Sequence, residues 1–203
     1  MMSKRDIGMR QTRMVCTEFK TREDGGGDLT IEGYFAVFNS NYDIVDGVSE
    51  SIAPGAFTEA LGGDVRALVN HDTTLVLGRN KAGTLELRED SHGLWGQVRI
   101  NPNDSAAVDL YERVKRGDVD GCSIGFDIAE EKTDFLDNGD VHFTIEKVNP
   151  LYEVSCCTFP AYQETNISAR TAQVEEIRKR EADAWKKKMK ERLHHGIKSA
   201  DEA

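Results

Sequence analysis

The sequence predicts a mainly β fold of the α+β class, with an antiparallel, barrel-like sheet, a few short helices and an amphipathic C-terminal helix. Three observations support this class. Short segments rich in β-branched and aromatic residues recur as far as Pro160, with turn residues between them. Only two short stretches in that part have helical character. From Gln173 onward, apolar residues at helical spacing stand amid dense charge, which predicts a helix that cannot bury its apolar face alone.

Length and composition indicate one folded domain with polar extensions. The 203 residues suffice for one well-buried domain and an appendage. The hydrophobic fraction of 38% is low for a compact globule, and the charged fraction of 31% is high. We therefore expect a polar N-terminal segment with the first strand over residues 1–27, a main domain over residues 28–169 and a charged helical tail over residues 170–203.

Charge and hydropathy argue against two classes of partner. The net charge is −10, and residues 1–168 hold 29 acidic against 16 basic side chains, so we expect no nucleic acid partner. No apolar run approaches the roughly 20 residues that span a bilayer, so we expect no membrane partner. The basic N-terminus is not followed by an apolar segment, which argues against a secretory signal and favours a cytoplasm-like compartment.

The four cysteines do not predict a metal site. They stand at Cys16, Cys122, Cys156 and Cys157, and none forms a C-x-x-C pair. Adjacent cysteines do not build a zinc knuckle, so we expect no metal and four free, mostly buried thiols.

The predicted elements of the N-terminal half are short strands separated by turns. Leu29–Phe38 is the clearest β segment, either a strand pair or one long bent strand, with Gly33 as the expected kink. The polar stretch 39–47 is predicted to be a loop, and Pro54 suits the first turn of a short helix that ends at Leu61. The other strands of this half are predicted at Met14–Phe19, Val65–Val69, Leu75–Gly78 and Gly83–Arg88.

The C-terminal half contains the best-defined helix. Asp104 is a suitable N-cap for a helix over Ser105–Arg116, and Gly117 is a suitable stop. Gly93–Ile100 alternates in the manner of a half-buried strand. The remaining strands are predicted to follow Gly117 and to lie at Val141–Val148 and Leu151–Phe159.

The stretch Val119–Ile128, VDGCSIGFDI, holds the most distinctive serine. Glycines on either side of Ser123 allow a sharp turn and a close approach to a ligand. Ser123 could be a nucleophile if a base and an orienting partner reach it, or a small residue where a strand enters a tight core. Spacing alone leaves both interpretations open.

Two further polar residues stand at the ends of predicted core strands. His71 follows an apolar strand, and an imidazole is the usual base for a serine. Glu153 lies near the start of the last apolar strand and could hold the histidine tautomer. An ordinary loop histidine and a strand-edge charge remain the alternatives at this point.

A set of motifs in this order resembles the tailed-phage prohead protease family. The segments are EGYFAVFNS, PGAF, LVNHD, LG, GLWGQVRI, GCSIGF and LYEVSCCTFPAY, and they cover roughly residues 30–169. These proteins are capsid-maturation serine proteases whose fold is similar to that of the herpesvirus assemblins. The resemblance makes residues 28–169 the expected protease domain.

The resemblance implies roles for particular residues. Ser123 falls on the nucleophile of the family's Gly-x-Ser-Ile-Gly-Phe motif, His71 on its base and Glu153 on the acidic third member. Because the assemblins use a second histidine as third member, His142, or with less support His92, is a rival. Ser155 and Thr158 would then be structural. Backbone N–H groups of Ile124 and Gly125 are candidates for the oxyanion hole, and the chemistry requires no metal or cofactor.

The function that follows is that of a serine endopeptidase acting through an acyl-enzyme. It would process the major capsid protein, the scaffold and itself during prohead maturation, inside the assembling procapsid in the host cytoplasm. A homodimer or larger oligomer is expected by analogy with assemblins. The tail would dock the protease during assembly, be removed by self-cleavage, or pack as a helix.

Two alternatives remain open at this stage. One is a non-enzymatic capsid-assembly or scaffolding factor that keeps the protease fold. The other is a hydrolase that uses Cys122 in place of Ser123.

Overall fold

The computed structural model describes residues 11–16, 19–23, 29–159, 174–176, 178–180 and 182–191. The chain divides into two compact units, residues 1–163 and residues 164–203. All described residues of the second unit are helical. The predicted domain boundary at residues 169 and 170 lies outside the described residues.

The described part of the first unit contains eleven strands and one α-helix. The strands are β1 Gln11–Cys16, β2 Lys20–Glu23, β3 Leu29–Val37, β4 Tyr42–Val45, β5 Val48–Ile52, β6 Arg66–Val69, β7 Asp72–Arg79, β8 Leu85–Glu89, β9 Gly93–Ile100, β10 Gly121–Phe135 and β11 Val141–Cys157. The helix α1 spans Ser105–Arg116.

These strands form two sheets. The larger has seven strands in the order β1-β10-β11-β5-β4, and β6 joins it by pairing with both β11 and β7. The smaller has four strands in the order β2-β3-β9-β8. All pairings are antiparallel except those of β11 with β5 and with β6. The predicted mainly β class with a curled, barrel-like sheet is confirmed.

Apolar side chains from both sheets and from α1 form one core. It includes fully buried Ile31, Phe35, Leu94, Tyr111 and Ile124. Burying a side chain of this size contributes about 1.5–3 kcal/mol, so the strands are held mainly by this shared core.

The helix α1 has the predicted bounds because both ends carry strong signals. The Asp104 carboxylate accepts hydrogen bonds from the N–H groups of Ala106 and Ala107 at 3.0 and 3.3 Å. Gly117 closes the helix at a φ of 86°, a left-handed conformation that glycine adopts without a Cβ clash.

Three predictions for the N-terminal half were wrong. The predicted loop 39–47 contains β4, because Tyr42–Val45 pairs with β5 at a sheet edge despite its polar surroundings. The predicted helix ending at Leu61 is a series of turns with a single 3₁₀ turn at Ala60–Gly62. The irregularity of β3 lies between Tyr34 and Ala36 instead of at Gly33.

The last two predicted strands are one strand. Strand β11 passes through Pro150, which has no backbone N–H to donate to a neighbouring strand. Pro150 lies between the pairs Ile128–Val148 and Phe126–Leu151, where the register with β10 shifts. A proline can occupy such a bulge because no ladder hydrogen bond is required of it there.

Candidate active site

Ser123 lies near the start of β10, between two neighbouring strands. It is paired with Met14 of β1 on one side and with Ser155 of β11 on the other. The side chain is fully buried. Its Oγ donates a hydrogen bond of 2.9 Å to the backbone carbonyl oxygen of Arg13 in β1.

His71 lies in a tight turn between β6 and β7. Asn70 and His71 both have left-handed backbone angles, with φ values of 50° and 62°. Asparagine tolerates this conformation better than most residues. The Asn70 N–H donates to the carbonyl of Cys156 at 2.9 Å, and its Oδ1 accepts from the N–H of Thr158 at 3.0 Å. These bonds fix the turn, and with it the histidine, against the end of β11.

Glu153 of β11 provides the hydrogen-bond partner of the imidazole. Its Oε1 lies 2.7 Å from Nδ1 of His71, and its side chain is 2% exposed. Because an ionised carboxylate only accepts hydrogen bonds, the contact places the proton of the neutral imidazole on Nδ1. Nε2 is then free to act as a base. It is buried and has no hydrogen-bond partner within the part of the chain that the structure describes.

Ser155 connects the base to the carboxylate. Its Oγ donates to Oε2 of Glu153 at 2.5 Å and accepts from the backbone N–H of His71 at 3.2 Å. The family resemblance implied only a structural role for Ser155. A signal was present, because residues two apart on a strand share a face, and Ser155 stands two positions after Glu153.

The sheet brings the three predicted residues to one face. Ser123 is directly opposite Ser155, and Gly125 is directly opposite Glu153, so these side chains point to the same side of the sheet. Strand β6 pairs with the same segment of β11 and ends just before His71. Among the described residues, however, no hydrogen bond joins Ser123 to His71, since the serine hydroxyl is bonded to Arg13.

Comparison with known proteins assigns the chain to a family. The sequence model described as caudovirus prohead serine protease matches residues 17–180. The chain belongs to this family. The resemblance inferred from the ordered motifs is confirmed.

Two relatives show the extent of this similarity. The prohead protease of Enterobacteria phage HK97 is 34% identical over 157 residues, which are 75% of this chain and 64% of that protein. The chain therefore spans less than two thirds of that relative's length. The structure of the bacteriophage T4 capsid assembly protease matches with a TM-score of 0.45 and 13% identity, over 73% of this chain and 98% of that one.

The rival histidines of this prohead protease family member have other partners. His142 stands eleven residues before Glu153 in β11. Its Nδ1 lies 2.8 Å from Oγ of Ser49 and its Nε2 lies 2.8 Å from Oγ of Ser51. The ring of His92 packs edge-on against Tyr34, with ring centroids 4.4 Å apart. The contacts of His142 are thus with β5, and that of His92 is with β3.

The predicted oxyanion donors stand in the middle of the sheet. Ile124 is paired with Arg13 of β1 and Val154 of β11, and Gly125 is likewise flanked on both sides. The N–H groups of a strand with two neighbours point toward one or the other of them. Ile124 and Gly125 can therefore present an N–H to a ligand only where one of these pairings opens.

The three described cysteine thiols are buried and poorly suited to this chemistry. Cys122 precedes Ser123 on β10 and so faces the opposite side of the sheet, where its Sγ lies 3.1 Å from the carbonyl oxygen of Tyr34. Burial raises the pKa of the Cys156 thiol, and burial followed by the charge of Glu153 raises the pKa of Cys157 to about 12. Thiols in such surroundings are poor nucleophiles.

No group of three or more histidine, cysteine or acidic side chains in the described residues is arranged to hold a metal ion. No described helix is long and apolar enough to cross a membrane.

Proposed function

We propose that the chain is a serine endopeptidase that cleaves capsid and scaffold proteins, and itself, during prohead maturation. The observation that carries this proposal is the 2.7 Å contact between His71 and Glu153 on the face that also bears Ser123. A buried carboxylate holding one nitrogen of an imidazole leaves the other nitrogen basic, as a serine nucleophile requires. Membership of a prohead serine protease family supports the same conclusion.

The reaction proceeds by acyl transfer. Nε2 of His71 takes the hydroxyl proton of Ser123 while Oγ attacks the carbonyl carbon of the substrate peptide bond. The tetrahedral intermediate collapses as the C–N bond breaks, and the leaving amine takes the proton from His71. Water then attacks the acyl-enzyme, giving its proton to His71, and Ser123 is released with its proton restored. Glu153 holds the imidazolium in both halves of the reaction.

Membership of the family supports the substrates and the place of action that we propose. We expect the major capsid protein and the scaffold to be cleaved within the assembling procapsid, in the host cytoplasm. An acidic chain with a net charge of −10 is unsuited to binding DNA, so its partners are proteins. A second copy of the chain is a further expected partner.

The test is the intact mass of the full chain over time, alone and with its major capsid protein. We expect fragments with the wild type and none with Ser123→Ala or His71→Ala. Ser49→Ala is the matched control, because it also removes a serine that lies beside a histidine, and it should leave cleavage unchanged. Fragments that persist in Ser123→Ala would refute the proposal.

One observation favours a second candidate. In this structure the Ser123 hydroxyl is buried and bonded to Arg13 instead of His71, as expected of a protein that no longer cleaves. A non-enzymatic capsid-assembly factor would give stable masses in every variant. Such a factor would also give the same yield of procapsids with alanine as with serine at position 123. Procapsid yield and intact mass together therefore separate the two candidates.

A further inference from the structure

We propose that β1 is an internal surrogate of the substrate, and that an extended peptide replaces it with a basic side chain placed on Glu50. The inference rests on the proposed function, whose Ser123 it concerns. It adds the strand that the substrate adopts, the residue that selects it and an inhibitory role for β1.

The first support is the position of β1. It is the terminal strand of the seven-stranded sheet and pairs there with β10. The register is continuous from Gln11–Phe126 to Cys16–Gly121, so six residues of β1 lie antiparallel beside the Ser123 segment. An extended peptide that adds to a sheet edge makes this same set of backbone contacts.

The second support is the carbonyl group that reaches the nucleophile. The Ser123 Oγ lies 2.9 Å from the carbonyl oxygen of Arg13, which is bonded to the carbon that a serine protease attacks. The β1 backbone therefore stands where a cleavable peptide would stand. The geometry is unproductive, because the hydroxyl proton points to that oxygen while Nε2 of His71, which must receive it, has no partner among the described residues.

The third support is the way in which Arg13 is anchored. Its guanidinium pairs with Glu50 of β5, with Nη2 2.9 Å from Oε2 and Nε in contact with Oε1. The guanidinium also lies 5.9 Å from the centre of the Phe126 ring. The side chains of Arg13 and Glu50 are only 8% and 2% exposed.

This anchor determines what can replace β1. Removing the Arg13 cation from the buried Glu50 carboxylate is unfavourable, so a strand that brings a positive charge to Glu50 displaces β1 more readily than one that does not. Arg13 supplies both this charge and the carbonyl group beside Ser123. The corresponding residue of a substrate is therefore the one that precedes the cleaved bond, and it is arginine or lysine.

Opening β1 would also provide an oxyanion donor. Successive amides of β10 point alternately to β1 and β11, so one of the N–H groups of Ile124 and Gly125, next to the nucleophile, loses its partner when β1 leaves. The incoming strand brings its own carbonyl group to that N–H group, which can stabilise the developing charge.

Peptide binding tests the inference without measuring catalysis. The full chain carrying Arg13→Met and Ser123→Ala has a weakened β1 and no nucleophile. The probe is a fluorescent peptide Gln-Thr-Arg-Met-Val-Ser, which is the β1 sequence with serine in place of Cys16. We expect it to bind this variant about tenfold or more tightly than the analogue Gln-Thr-Met-Met-Val-Ser binds. Adding Glu50→Gln to the variant should abolish this difference in affinity. Equal affinity of the two peptides, or a preference that survives Glu50→Gln, would overturn the inference.

Amide hydrogen exchange of the unmodified chain gives a second measurement, which needs no variant. Successive amides of Gly121–Phe126 point alternately to β1 and β11. We expect the amides that face β1, and those of β1, to exchange about tenfold or more faster than those that face β11. Equal protection would show β1 to be a permanent strand and overturn the inference. Because neither measurement needs cleavage, an inactive protein would refute the proposed function and leave both results interpretable.

Discussion

The hydroxyl of Ser155 donates a 2.5 Å hydrogen bond to Oε2 of Glu153. The Oγ atom of Ser155 also accepts a hydrogen bond from the backbone N–H of His71, so one buried side chain contacts both the proposed base and its carboxylate partner. A group that orients a catalytic carboxylate without touching the substrate is a positioning residue. Its removal should affect the chemical step more than substrate binding.

We predict that Ser155→Ala lowers kcat for a cleaved peptide by about 10- to 100-fold with little change in KM. The reason is that the Glu153 carboxylate loses one partner and the His71 backbone loses another. Ser155→Thr keeps the hydroxyl and should retain more activity, although its added methyl group must fit a fully buried site. Steady-state kinetics with both variants from about pH 5 to about pH 9 measure this effect, because misplacing the carboxylate also alters the acid limb of the profile. A variant that unfolds at lower temperature while keeping its kcat and pH profile would show that Ser155 is purely structural.

The second prediction concerns which residue is the third member of the proposed catalytic triad. Glu153→Gln should lower kcat by about a thousandfold or more, because an amide next to Nδ1 can stabilise the wrong tautomer of His71. His142→Asn should change kcat by less than about twofold, because that ring is held by Ser49 and Ser51 on β5. Steady-state kinetics of the two variants, measured side by side, identify the third member of the triad. A large loss with His142→Asn and a small one with Glu153→Gln would make His142 the third member.

The elements that could be predicted best from the sequence are those with local sequence signals. The helix α1 was bounded correctly because Asp104 and Gly117 are cap residues with direct backbone roles. Strand β9 was placed at Gly93–Ile100 because its alternating residues face the core in turn. The family assignment was possible because several motifs occur in a fixed order.

The parts that could not be predicted depend on contacts between distant segments. Strand β4 has too little apolar character to be distinguished from a loop, and it exists because β5 pairs with it. Arg13 and Glu50 are 37 residues apart, and nothing near either residue signals a buried ion pair. The hydrogen bond from Ser123 to the Arg13 carbonyl spans 110 residues and depends on the register of β1 with β10.

The third prediction concerns the thiols and separates a serine from a cysteine hydrolase. We expect iodoacetamide at about pH 8 to leave Cys122, Cys156 and Cys157 of the folded chain unmodified for hours, since all are buried. Burial also raises the pKa of Cys156, and that of Cys157 to about 12, so almost no thiolate forms at this pH. Peptide mass mapping after timed alkylation measures the extent of modification at each cysteine, and unfolded protein is the positive control. Loss of cleavage that parallels modification of Cys122 would instead support the cysteine mechanism.

The last prediction concerns the turn that carries His71. Asn70→Ala should lower the free energy of unfolding by about 1–3 kcal/mol, because alanine is strained at a φ of 50° and cannot accept the Thr158 N–H. Asn70→Gly should cost less stability, since glycine adopts the left-handed conformation freely and only the hydrogen bond is lost.

Asn39 is the matched control: it has a φ of 54° outside this turn, so Asn39→Ala should destabilise the chain without altering kcat. Denaturant unfolding and peptide kinetics of the three variants measure both effects. Because Asn70 directly precedes the base, Asn70→Ala should reduce kcat even where the chain is fully folded, and an unchanged kcat would mean that the turn does not position His71.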